Sequence, residues 1–198
     1  MFETKSLFKS QEKKQNNSKI MYPFNSYTSI FYFIIMFPLL KTNIDDFDII
    51  GLTIATSLSI SSLLWWGCKN EYIQMIDIAS YSLLIFYIGF YYLRENKFIL
   101  DTFIYLIFII VFISIKNKRQ IKYLNFLGGS FSFIVILYYI KSIDEIIGLS
   151  LLFLSVFCKF TDSFDIIDYN KLKIGAGTGW FHMSSALGIY LIINHLNK

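Results

Sequence analysis

Two histidines occur in the chain, and His182 sits where one matters most. It lies in Gly177-Thr178-Gly179-Trp180-Phe181-His182-Met183-Ser184-Ser185, the opening of the last apolar segment. An imidazole among small residues at the mouth of a membrane helix is costly unless it has a partner or a task. Asp77, about two turns into another apolar segment, is the natural candidate. It can serve as a general base or as the acceptor that orients His182; the plain alternative is an interfacial carboxylate held by nearby serines. Ser62 and Trp66 are four residues apart, as are Thr178 and His182, so each pair shares a helix face. If those faces meet, Ser62 and His182 can share a water, although serines in such helices commonly serve close packing.

These residues need a scaffold, and composition says which solvent it faces. Of 198 residues, 55% are hydrophobic and 16% charged, with a mean hydropathy of +0.53. A soluble domain of this length cannot hide that much apolar surface, so a bilayer is the expected solvent. The net charge of +4 suits membrane orientation and, lacking a basic recognition face, argues against nucleic acid. Residues 1–20 read as a polar, Lys-rich, disordered tail, and 21–198 as one membrane domain.

Seven apolar stretches, near 22–40, 49–67, 72–93, 98–116, 121–140, 143–161 and 177–195, each approach the roughly 20 residues of a spanning helix. The expected fold is all-α, a seven-transmembrane bundle. Most Lys and Arg residues fall on the side of the amino terminus, which the positive-inside rule places in the cytosol. With seven spans, parity brings the unusual polar residues to one face: Asn25, Ser26, Thr28 and Ser29; Ser57, Ser59, Ser61 and Ser62; Asp77 and Ser80; Asp162; and Thr178, His182, Ser184 and Ser185. A polar cluster at one depth is the form that a membrane site takes.

The remaining features read more plainly. Asp162, Asp165 and Asp168 are expected in a solvated acidic loop. Cys68 and Cys158 are expected as free buried thiols. His195, at the opposite face, has no expected role. The Gly175–Gly179 run follows no strand and gives no support for nucleotide binding.

Four stretches together resemble the alkaline ceramidase branch of the seven-helix membrane hydrolases, which include the adiponectin-receptor-like proteins. They are Pro23-Phe24-Asn25-Ser26-Tyr27-Thr28-Ser29, Ser62-Leu63-Leu64-Trp65-Trp66, Asp77-Ile78-Ala79-Ser80, and Gly177-Thr178-Gly179-Trp180-Phe181-His182. The resemblance implies zinc held by three histidines, with a serine and an aspartate assisting hydrolysis of a lipid amide. Carried over, Ser62, Asp77 and His182 are the catalytic positions, His182 being also the one matching metal ligand. Trp66 and Thr178 stand at the other two ligand positions, and neither is a usual zinc ligand. The resemblance thus implies a degenerate lipid-amide hydrolase or a lipid-binding pseudoenzyme. Its partner would be a membrane lipid such as a ceramide, and its place an endomembrane such as the ER or Golgi in a eukaryote. The alternatives are a small transporter or channel, or a structural membrane protein.

Overall fold

The computed structural model describes residues 10–12, 20–41, 43–116, 120–172 and 174–197. The described chain is helical throughout: α1 (Pro23–Ser29), a 3-10 helix (Ile30–Ile35), α2 (Met36–Leu39), α3 (Asp46–Cys68), α4 (Glu71–Tyr92), α5 (Lys97–Lys116), α6 (Gln120–Tyr139), α7 (Ile143–Ser163), the short α8 (Tyr169–Leu172) and α9 (Gly177–Leu196). The long helices coincide with the apolar stretches of the sequence. Among them α3 and α4 are long and apolar enough to cross a membrane, while the apolar parts of α5 and α6 are shorter, 98–113 and 123–139.

The first stretch is not one regular helix. Its middle tightens into a six-residue 3-10 run, longer than such runs usually are. Just before it, the Thr28 and Ser29 hydroxyls donate to the Phe24 and Asn25 carbonyls, each at 2.8 Å. Such back-bonding bends helices. Pro38, lacking an N–H, then sits in the final turn.

Helix ends are set by local chemistry. Asp45 and Asp48 form a reciprocal capping box at the start of α3, and Ser142 and Glu145 do the same for α7. Helix α3 stops at Lys69, whose φ of 54° is left-handed, so α4 folds back against it. Helices α7 and α9 approach closely because both carry glycine at the crossing. A Cβ on Gly148 would meet the Gly188 carbonyl at 2.8 Å, and one on Gly188 would meet the Gly148 carbonyl at 2.7 Å.

The core runs along the inner faces of the first segment, α3, α4 and α9, through Tyr32, Ile35, Leu58, Leu84, Tyr87 and Ile192. Among the described residues α6 packs along α4, and α7 along α9, rather than along each other.

Three sequence expectations change. Cys158 is a free buried thiol, whereas Cys68, also free, is exposed because α3 ends there. Asp162 is fully buried instead of solvated, for a reason given below. Most of the expected 1–20 tail lies outside the described residues, but residues 10–12 dock on the bundle. The Glu12 carboxylate accepts from the Phe24 and Asn25 amides at 2.7 and 2.8 Å. A carboxylate there satisfies orphan donors at a helix start.

Candidate functional site

His182 enters the bundle one turn into α9 and is 3% exposed. Its ring packs beside Tyr32, Trp66 and Phe181, with centroids 5.7, 6.2 and 5.6 Å away. Its Nδ1 lies 3.2 Å from Thr28 Oγ1 and 3.3 Å from Ser29 Oγ. Both hydroxyls stand 2.8 Å from carbonyls that can only accept. Nδ1 thus shares both hydroxyls, each of which also has a backbone carbonyl within hydrogen-bond reach.

Ser62 is reached through the same relay, because Ser29 Oγ lies 3.0 Å from Ser62 Oγ. The other serines of α3 are used differently. Ser59 donates to its own helix at Ala55, and Ser57 meets Ser80 of α4 at 2.8 Å. Ser62 instead faces the Asp77 carboxylate across the gap to α4. Ser62, Asp77 and His182 all line one cavity of about 610 Å³, which is within the roughly 300–1,000 Å³ typical of ligand pockets. The Ser29 hydroxyl joins Ser62 to His182, and Asp77 lies on the Ser62 side of the cavity.

The first segment is thus a wedge: α1 lies between α3 and α9, and its hydroxyls join them. The sequence placed Thr28 and Ser29 at the right face but gave no reason to seat them between Ser62 and His182. Asn25 beside them is fully buried; its amide N donates to Ser10 at 2.9 Å, while its Oδ1 has no partner among the described residues.

Lys159 is the site residue that sequence reasoning missed. By sequence alone it is one of the charges on the amino-terminal side of the membrane. In the structure it lines the cavity, and its ammonium donates to Thr178 Oγ1 at 2.8 Å. The ammonium also lies 5.7 Å from the Trp66 ring centroid. Asp162 explains the placement of Thr178. The first turn of α9 has no side-chain cap of its own, and the Asp162 carboxylate of α7 supplies one, accepting from Thr178 N at 2.8 Å and from the Thr178 hydroxyl. A carboxylate at a helix N-terminus is favourable, which accounts for the burial of Asp162. Gln11 adds a backbone N–H to its other oxygen at 2.9 Å. Gly177 permits this contact, since a Cβ there would strike the Cys158 carbonyl.

At the rim, Lys69 folds over an aromatic trio. Its ammonium lies 3.3, 4.1 and 4.4 Å from the Trp66, Trp65 and Tyr22 centroids. Burial, reinforced by the charge of Lys159, lowers its pKa to about 7. Burial also pushes the Glu12 carboxyl up, against the pull of the two amides it accepts from.

The donor set does not suit zinc. Of the three positions only His182 offers a usual ligand atom; Thr178 Oγ1 is engaged by Asp162 and Lys159, and Trp66 presents a ring. Among the described residues no three His, Cys, Asp or Glu side chains converge to hold a metal ion. Catalytic zinc takes three protein ligands.

The remaining cavity wall is largely apolar and aromatic, including Leu58, Leu84, Ile88, Phe133, Ile136 and Phe153, with a few serines and Asn125 among them. Toward the gap between α6 and α7, Phe133 and Phe153 meet edge-to-face at 5.2 Å. Gly129 of α6 lines the cavity too, and a Cβ on it would meet nothing within 4 Å. In comparisons with known proteins, no family model, no curated protein and no solved structure matches the chain.

Proposed function

We propose that this chain is a seven-span integral membrane protein whose cavity takes the hydrocarbon chain of a membrane lipid, with the lipid head at Ser62, Asp77 and His182. One observation carries the reading: Ser62, Asp77 and His182, from three separate helices, line a single cavity with Lys159 and Thr178 beside them, and its walls are otherwise largely apolar. That is the shape of a site for a molecule with one polar end. Seven long helical stretches, and large exposed apolar side chains on α5 to α7 such as Tyr105, Phe108, Phe126, Ile134, Phe153 and Val156, support a bilayer setting. The gap between α6 and α7 would admit a chain sideways from the lipid.

The arrangement resembles the ceramidase-like hydrolases in its serine, aspartate and histidine but lacks a donor set for their metal. A Lewis acid is what generates the nucleophile in such enzymes. The reading favoured here is therefore a degenerate, lipid-binding relative; no hydrolytic step is assigned to it.

Gly129→Phe tests the cavity directly. The new ring would project into open volume and fill the chain-binding space. Displacement of a fluorescent fatty-acyl probe from purified protein in nanodiscs should show binding by the wild type. Binding should fall at least tenfold in the variant, while its melting temperature changes little. Equal binding by both would remove the cavity from consideration. Elemental analysis gives a second check: about one zinc per chain, lost in His182→Ala, would restore the metal-hydrolase reading.

A further inference from the structure

The mismatch with zinc has a counterpart in the structure. The two residues that stand where histidine ligands would be needed, Trp66 and Thr178, both lie near the Lys159 head group. Thr178 accepts its hydrogen bond at 2.8 Å, and the Trp66 ring offers its electron-rich face at 5.7 Å. The third position, His182, lies within the electrostatic reach of the same ammonium. Asp77 and Asp162 supply the compensating negative field. A lysine inside an apolar cavity is costly and tends to be functional. This one is oriented by an aromatic face and a hydroxyl, and Thr178 is itself fixed by the helix cap from Asp162.

We propose that Lys159 is a binding residue of the cavity. Its ammonium supplies the positive charge at the polar end and donates a hydrogen bond to an oxygen of a neutral lipid head group, independently of any metal. The inference rests on the lipid-cavity reading above. It specifies the head group as one with an oxygen acceptor. Asp77 across the cavity balances the lysine charge, so the pair suits a dipolar head better than a free carboxylate. A metal-bound head group would require ligands from Trp66 and Thr178, which the lysine engages instead.

The experiment uses the full-length protein in nanodiscs and two competitors of equal chain length, palmitamide and hexadecane, against the fluorescent acyl probe. Wild type should prefer palmitamide by about tenfold, the scale of a hydrogen bond to a charged donor, with or without a strong zinc chelator. Lys159→Met should bind hexadecane as before and lose the preference. Lys159→Gln keeps a donor without the charge; it should lose most of the preference and serves if the methionine variant does not fold. A preference that survives both substitutions, or one abolished by the chelator, overturns the assignment of Lys159. Failure of wild type to bind either competitor rejects the underlying cavity reading instead.

Discussion

The two ends of the bundle use the same residue types to opposite effect. At the end away from the cavity, Asp48 is fully buried, with Lys41 at 2.7 Å, the Tyr91 hydroxyl at 3.1 Å and Arg94 at 3.8 Å. Asn197 ties this group to the end of α9, accepting from Tyr91 at 2.6 Å and donating to the Pro38 carbonyl. Nearby, Glu145 accepts from Tyr92 at 2.8 Å, with His195 at 3.8 Å, so the second histidine joins a structural network. The buried Asp48 and Glu145 there meet their partners through direct contacts. At the other end, Asp77, Lys159 and His182 border a cavity large enough for a ligand. A closed network fixes geometry, and its loss is expensive; groups facing a cavity are held less completely and remain available to a ligand.

That contrast is open to attack, beginning with the largest expected effect. Asp48→Ala removes the buried carboxylate shared by the partly exposed Lys41 and Arg94 and should destabilise the protein by about 3 kcal/mol. Asp77→Ala should cost clearly less while altering ligand binding. Thermal unfolding in detergent measures both, and equal losses would mean that the cavity end is equally structural. Tyr91→Phe removes one hydroxyl shared by Asp48 and Asn197 and should cost roughly 1.5–3 kcal/mol, the scale of a hydrogen bond to a charged group.

Ser29→Ala at the cavity end removes a neutral link and should cost about 1 kcal/mol. It should also free the His182 ring, visible as a change in its NMR tautomer signature; an unaltered ring would place the restraint in Thr28 alone. The smallest effect concerns Lys69. Tryptophan fluorescence should titrate with a midpoint near pH 7 as the amine leaves its cationic form, and Lys69→Met should abolish that step. The folded pKa lies at about 7, below the ordinary 10.5. The unfolded chain therefore binds more protons across that interval, and this group's contribution favours folding as pH rises through it. A midpoint near 10 would show that Lys69 is solvated.

Much of the architecture was legible beforehand. Long runs of Ile, Leu, Phe and Tyr, interrupted by short charged connections, marked where helices begin and end, because length and hydropathy are local properties. Parity alone brought Ser62, Asp77, Thr178 and His182 to one end. Capping residues such as Asp45 and Ser142 can be read in the same way, since a cap acts within a single turn.

Rotation of each helix about its axis was not legible. A helix that is apolar nearly all round gives no periodic signal of its inward face. Tertiary packing therefore decided that Lys159 turns into the cavity, that Asp162 is buried as the cap of α9, and that Thr28 and Ser29 wedge between α3 and α9. The sequence determined the helices, their lengths and the polar end. Contacts between distant segments decided which of those polar groups face the cavity and which serve as mortar, because burial and hydrogen bonding there depend on partners 16 to 153 residues away.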